Sequence, residues 1–358
     1  MKITPNSKSF LLFLMLLSAF SQVSIYAQLF PEAQTDSLLM NKFKSSDPGA
    51  VFLVAKEGKV IYRKAFGMAD LQLDVPMKPE HVFEIGSMTK QFTAVSILML
   101  VQEGLISLDD EMIKFIPDYP THGEKITIHH LLTHTSGIKN YTKMKSIREL
   151  IRNDYSPSEL IDLFKNEPLD FNPGEKYEYS NSGYVILGYI IEIISEKSYQ
   201  DFVNERIFKK LDMSSSYYAD HKNIVKNRAS GYSEGYVNAR FISPTLSYSA
   251  GSLMSTVDDM FKWQEALEHG YILKKETLDL AFTNYTLNSG EFIDYGYGWH
   301  VNKKDGLKIR EHGGSIFGFK SMGIYLADQE IYVIGLSNCD CNSPTKITRK
   351  IAHLYLEN

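Results

Sequence analysis

The chain has 358 residues, of which 44% are hydrophobic and 23% charged, and its formal net charge is −5. This is the make-up of an ordinary globular protein, long enough for one large domain or two interleaved ones around an ample core. The acidic balance offers no footprint for nucleic acid or anionic lipid.

Lys2 and Lys8 precede the apolar run FLLFLMLLSAF, and a short polar stretch then ends in SIYAQ. A basic start, a short apolar centre and a small residue before the cut make a signal peptide, with cleavage expected after Ala27 and residues 1–27 removed. The run is too short to span a bilayer comfortably, so no stable membrane anchor is expected. No cysteine stands close after the run, which argues against a lipoprotein anchor. The leader carries two lysines and no acidic residue, so its removal takes the net charge from −5 to −7. The expected location is exported, either periplasmic or secreted.

The segment EAQTDSLLMNKFKS predicts a short helix. GAVFLVAKEGKVIYRKAFGMAD then predicts two strands hinged at Glu57-Gly58, with glycine where a positive φ is wanted. The middle of the chain is different in kind. TKQFTAVSILMLVQEG, TIHHLLTH, SIRELIRND, PSELIDLFKNE, GYVILGYIIEIISEKS, YQDFVNERIFKKL and TVDDMFKWQEALEHG have helical length and, mostly, helical period. Ser255, Thr256 and Asp259 form the polar start of the last of these. Towards the end, hairpins are expected with turns at Asp305-Gly306 and near Asp328-Gln329, followed by a closing helix in TKITRKIAHLYLEN. Strands at both ends and helices between them predict an α+β fold. In it, residues 28–84 and 285–358 build one antiparallel sheet lobe, residues 85–284 form an inserted helical lobe, and a cleft between the two holds the site. The only cysteines, Cys339 and Cys341, are one residue apart. They cannot staple a fold, and a ring between them would be strained.

Three short motifs carry chemistry. In FEIGSMTKQFTA, Ser87 and Lys90 stand three apart at a helix start, which puts both side chains on one face. There the helix N-terminus favours a developing negative charge, and the lysine can take or direct the serine's proton. The residues beyond Lys90 are almost all apolar, so this helix is expected to be central and buried on most faces. The second motif is Tyr179-Ser180-Asn181 in GEKYEYSNSGYVILG. An extended backbone turns Tyr179 and Asn181 the same way, and Asn181 or Ser182 can serve as N-cap of the helix that follows. The third is His312-Gly313-Gly314 in REHGGSIFGF, placed between two candidate strands, where paired glycines admit another backbone or a ligand, or else make a wide turn.

In this order the three motifs resemble the penicillin-recognising serine hydrolases, in their class C β-lactamase-like branch. That branch includes D-Ala-D-Ala peptidases, D-amino-acid peptidases and family VIII esterases. ITIHHLLTHTSGI, SAGSLMSTVDDMFKW and YGYGWHV also read like family segments, so the resemblance covers nearly all of the chain after its leader. It implies the β-lactamase/transpeptidase-like fold and a role for each motif residue. Ser87 would be the nucleophile, Lys90 its partner and Tyr179 the general base. Asn181 would hold Lys90 and the substrate. His312 would hydrogen-bond near Tyr179 and line the cleft. The backbone N–H groups of Ser87 and Ser315, the latter following Gly313 and Gly314, would form the oxyanion hole. No metal or organic cofactor is implied. The implied partner is a small-molecule or short-peptide substrate, with cell-wall compounds as first candidates.

One departure stands out. β-Lactamases usually have Lys-Thr-Gly where this chain has His312-Gly313-Gly314, so the permanent cation for a β-lactam carboxylate is missing from that position. An exported hydrolase of small esters or amides is therefore the leading expectation. A true β-lactamase and a penicillin-binding sensor are the alternatives. His130 and His134 are spaced as in a zinc helix, but Leu131 stands where a metalloprotease has glutamate, so structural roles are expected. Tyr297 and Trp299 either line the cleft or pack under the sheet.

Overall fold

A computed structural model describes residues 31–304 and 306–356. The expected leader and its cleavage point lie outside these residues, as does Asp305 of the expected turn. Six strands form one antiparallel sheet: β1 (Ala50–Lys56), β2 (Lys59–Phe66), β3 (His300–Lys304), β4 (Leu307–Ile316), β5 (Phe319–Leu326) and β6 (Ile331–Ser337). Their spatial order is β3-β4-β5-β6-β1-β2, so chain ends far apart in sequence meet where β1 pairs β6, from Ala50 opposite Ser337 to Lys56 opposite Ile331. The β1–β2 hairpin turns at Glu57 and Gly58, with φ of 50° and 70°.

The sheet is covered on both faces. Ala50, Phe52 and Val54 face a cluster that includes Leu39 of α1 (residues 31–42), Phe43 just after it, and Ile351, Ala352 and Tyr355 of α7 (Thr345–Leu356). Val51, Leu53 and Ala55 point into the larger core on the opposite side. Burial on both faces explains why AVFLVA is apolar throughout, with no alternation.

The other side is helical. At its centre lies α2 (Thr89–Gln102), buried at every residue from Thr89 to Leu100. Around it stand α3 (Ile128–Leu132), α4 (Asn181–Ser195), α5 (Pro244–Gly251) and α6 (Val257–Glu268). Thr256 caps α6 by accepting the Asp259 N–H, as its polar start predicts. Hydroxyls pin these helices together: Thr93 Oγ1 donates to the Ser249 carbonyl at 2.6 Å, and Ser249 Oγ donates to the Tyr184 carbonyl at 2.9 Å. No helix among the described residues is long and apolar enough to cross a membrane.

Three local readings change. His312, Gly313 and Gly314 are not at a strand end or in a turn but inside β4, and the tight turn falls at Phe317-Gly318. The helix α5 has no apolar period to announce it. Cys339 and Cys341 are bonded to each other, and the ring they close holds only Asp340, so it joins no two elements.

Candidate active site

Gly86, Ser87 and Met88 form a single 3₁₀ turn that runs directly into α2. Two glycines let this turn touch β4. Gly86 has φ of +54°, and a Cβ there would come within 2.7 Å of the Ser315 nitrogen. A Cβ on Gly314 would overlap the Ile85 carbonyl, which instead accepts a hydrogen bond from Ser321 Oγ at 2.8 Å. Only glycine fits both positions. The result brings Ser315 and Ser87 side by side on the rim of a cleft of about 520 Å³.

Lys90 is the second residue of α2, one turn past Ser87, and is completely buried. Its Nζ is 2.7 Å from Asn181 Oδ1, 2.8 Å from the Ala250 carbonyl and 3.3 Å from Ser87 Oγ. Asn181 is oriented for this contact, because its Nδ2 donates to Thr142 Oγ1 at 3.1 Å. Ala250 lies in the last turn of α5, where carbonyls lack helical partners. That helix kinks at Tyr248 (φ 40°, ψ −135°), whose hydroxyl donates to Glu192 at 2.6 Å. With no acidic side chain beside it, Lys90 is governed by desolvation, which pushes its amine well below the ordinary lysine value.

Tyr179 stacks under the same amine, with Lys90 Nζ 4.9 Å from its ring centre. Its hydroxyl is buried without a well-formed hydrogen bond to any described residue. Burial raises the phenol's pKa, and the neighbouring Ser87 hydroxyl is the group that opposes the rise. Asn181 opens α4, and the residue before it, Ser180, is the N-cap, with no side-chain capping bond. The expected cap at Asn181 or Ser182 is thus corrected. Asn181 is taken up by Lys90 and Thr142, and Ser182 Oγ by the Lys139 carbonyl.

His312 sits differently from the expectation. It is 2% exposed and does not line the cleft. Its Nε2 lies 3.1 Å from the Tyr295 hydroxyl and its Nδ1 2.6 Å from the Gly313 carbonyl, while its ring is 6.1 Å from that of Tyr179. With both nitrogens engaged by protein, none is left for Tyr179 or a ligand. Burial keeps the ring neutral by pushing its pKa well down. Gly313 and Gly314 carry β4 past the Gly86 turn, and Asn181 and Ser315 reach the cleft.

Two further residues have a part in this geometry, one not singled out by the sequence and one expected there only as a structural histidine. One is Ala250, which acts through its backbone. The other is His134, whose carbonyl accepts the Glu178 N–H at 3.0 Å and whose Nδ1 accepts the Ser180 N–H at 3.1 Å. It grips the chain on both sides of Tyr179, with ring centres 4.3 Å apart. Thr127 caps α3, with His130 Nδ1 accepting the Thr127 N–H at 3.2 Å to complete a capping box, and His129 meets the Tyr297 hydroxyl at 2.8 Å. Tyr297 and Trp299 are packed inside, at 1% and 3% exposure. Among the described residues no group of three or more His, Cys, Asp or Glu side chains is placed to hold a metal.

A serine beside a desolvated lysine at a helix mouth, with a tyrosine against both and a glycine-bearing strand alongside, defines the serine-hydrolase class built on this α+β fold. The chain belongs to the beta-lactamase family, which it matches over residues 39–356. Penicillin-binding protein 4* of Bacillus subtilis (strain 168) is 32% identical over 310 residues, covering 80% of this chain and 67% of that protein. The chain spans about two thirds of the length of the curated relatives it matches. The octameric penicillin-binding protein homologue from Pyrococcus abyssi superposes with a TM-score of 0.80 at 30% identity, covering 91% of this chain and 77% of that one. A D-stereospecific amidohydrolase from Streptomyces sp. does so with a TM-score of 0.76 at 26% identity, covering 89% and 97%.

Proposed function

We propose that this protein is an exported hydrolase that cleaves small esters, amides or short peptides through an acyl-enzyme on Ser87. The observation that carries the reading is the set of partners around Lys90. A neutral amine has two N–H donors and one lone pair. The two short contacts, to Asn181 Oδ1 and the Ala250 carbonyl, use the donors. The lone pair is left for the Ser87 O–H, the longest contact at 3.3 Å. Burial favours this neutral state, so Lys90 is the base and the phenol of Tyr179 keeps its proton.

In the first half-reaction Ser87 Oγ attacks the carbonyl carbon while its proton passes to Lys90 Nζ. The carbonyl electron pair moves to oxygen, where the N–H groups of Ser87 and Ser315 receive it. Collapse expels the amine or alcohol, which takes a proton from Lys90 by way of Tyr179. Water then attacks the acyl carbon while its proton passes back to Lys90, the acyl C–Oγ bond breaks to release the acid, and Lys90 returns the proton to Ser87 Oγ. Asn181 fixes the amine and faces the substrate.

Support for the substrate class comes from relatives named for penicillin binding and for D-stereospecific amide hydrolysis. Support for export is the basic and apolar pattern of residues 1–27. Export would put the enzyme among cell-envelope compounds, which makes D-alanyl esters and peptides the first candidates. The test is a panel of short-chain p-nitrophenyl esters, D-alanyl peptides, D-amino-acid amides and nitrocefin, run on wild type and Ser87→Ala. Turnover of at least one ester or amide, lowered by about 10³-fold or more in the variant, is expected. Acylation without turnover would favour a sensor, efficient nitrocefin cleavage a β-lactamase, and activity surviving in Ser87→Ala would refute the mechanism.

A further inference from the structure

Cys339 and Cys341 are bonded across Asp340 alone, in the segment that leads from β6 to α7. The entropy of closing a loop grows with the length of chain enclosed, so a bond across one residue adds little to stability. The segment does not need that bond to stay in place. Asn338, one residue earlier, already ties it to three other parts of the chain. Its Oδ1 accepts the Gly49 N–H at 2.7 Å, and its Nδ2 lies 3.1, 3.2 and 2.9 Å from the carbonyl oxygens of Met68, Ala69 and Ser230. A bond that encloses so little, in a chain with no other cysteine, can be opened without undoing the fold.

The two cysteines are not equivalent. Cys339 is completely buried and Cys341 is exposed, so an incoming thiolate has only the second to approach. The Cys341 N–H donates to Cys339 Sγ at 3.2 Å, in place to receive charge that develops there. In exchange with a dithiol, one reagent thiolate attacks Cys341 Sγ and forms a mixed disulfide. The bond between Cys339 and Cys341 breaks, and its electron pair leaves on Cys339 Sγ. The second reagent thiolate then attacks the first reagent sulfur, closes the reagent's own disulfide and releases Cys341. Two electrons pass from the dithiol to the protein, and the two protons that the dithiol gave up end on Cys339 and Cys341.

Asp340, held inside the ring, links this chemistry to the cleft. It lines the cleft wall, and its N–H donates to the Tyr232 carbonyl at 3.0 Å. Its carboxylate accepts from Ser233 Oγ at 2.9 Å and from the Gly318 N–H at 3.4 Å. Gly318 belongs to the tight turn between β4 and β5, and Ser315, Ile316 and Phe317, which lead into that turn, line the same cleft. Only Asp340 and one turn therefore separate the sulfurs from the Ser315 N–H. We propose that the Cys339–Cys341 bond is a thiol-exchange site for an external dithiol, and that its redox state sets the reactivity of Ser87 through Asp340. Closed, the ring restricts the backbone on both sides of Asp340, and the carboxylate holds the turn. Opened, that backbone gains freedom, the Gly318 N–H loses its acceptor for part of the time, and the oxyanion site that includes Ser315 is less well ordered. The exchange stands by itself, whereas its effect on rate rests on the assignment of Ser87 as nucleophile.

The test is to treat the native protein with dithiothreitol, remove the reagent without admitting air, and make two measurements. Free thiols are counted in denaturant with a chromogenic thiol reagent, and the rate at which a neutral fluorophosphonate labels Ser87 is followed in the native protein. No free thiol is expected before treatment and both cysteines after it. The labelling rate is expected to fall by about 10-fold on reduction, short of the roughly 10²- to 10³-fold that complete loss of an oxyanion donor costs, and to recover on reoxidation. The double variant Cys339→Ser with Cys341→Ser is expected to label at the reduced rate and to ignore dithiothreitol. In Asp340→Ala the thiols are expected to exchange as in wild type while the labelling rate no longer follows them. Each protein is compared with itself, so a variant that is merely less stable does not mimic the effect, and the reversible change in wild type needs no variant at all. Free thiols before treatment, or a bond that yields to dithiothreitol only after unfolding, overturns the exchange site. Full reduction with an unchanged labelling rate, or a response that survives in Asp340→Ala, overturns the coupling. Failure of the probe to label oxidised wild type while both thiols appear on reduction supports the exchange site and counts against Ser87 as nucleophile, and the coupling falls with it.

Discussion

The helix α7 packs on the sheet and α2 packs among other helices, and the two are built on opposite principles. In α7 the buried residues Thr348, Ile351, Ala352 and Tyr355 follow the spacing of a single stripe, with Ile347, Leu354 and Leu356 packed at its margins, and the charged face points away from the core. In α2 everything from Thr89 to Leu100 is buried, Lys90 included. The first helix contributes stability through one apolar face. The second gives up amphipathic economy to hold an amine where water cannot solvate its charge. Its surroundings follow suit: a kinked α5, a phenol without a well-formed partner, and a glycine turn pressed onto a strand. Chemistry is thus confined to one side of the sheet, while the α7 side contributes packing alone.

That division can be broken from either side. On the α7 side, Phe52→Ala removes a fully buried ring 5.7 Å from that of Phe43. It is expected to lower unfolding free energy by about 3–5 kcal/mol in denaturant titration. The kcat of the molecules that remain folded should be unchanged, and a loss of kcat parallel to stability would erase the contrast. On the cleft side, His134→Ala frees the Ser180 N–H and opens space beneath Tyr179. A fall in kcat of about 10- to 100-fold, with KM much less affected, is expected from steady-state kinetics. His134→Asn should recover most of it. Its amide oxygen can accept the same N–H, and asparagine tolerates the backbone φ of 59° found there. Equal damage from both variants would reduce His134 to a packing residue.

How much of this was legible beforehand follows the same line. The hairpin at Glu57-Gly58, the closing helix and the helix carrying Ser87 and Lys90 announce themselves by turn chemistry, period and spacing. So does the convergence of strands from both chain ends, since only one sheet could use them. The strand through His312-Gly313-Gly314 does not, because glycine pairs favour turns, and only contact with the Gly86 turn explains them. The helix α5 is hidden by its polar SPTLSYSA sequence. Ala250 contributes a carbonyl, which no residue type signals. A structural role for His134 was expected, but its contact with Ser180 spans 46 residues, and no local pattern encodes that partner. The spacing of Cys339 and Cys341 rightly excluded a staple between elements but did not anticipate the bond between them.

The ionisation state of Lys90 is the point on which chemistry and structure meet most closely, and the pH dependence of Ser87 phosphonylation by a neutral fluorophosphonate measures it. Because burial lowers the amine's pKa, the lysine loses its proton at a pH below the ordinary lysine range. The labelling rate should therefore rise with pH through one inflection below that range and then level off. The inflection should persist in Tyr179→Phe at a reduced rate. An inflection that vanishes in Tyr179→Phe would assign the base to the phenol, and a rate that stays flat with pH would contradict a lysine-activated serine.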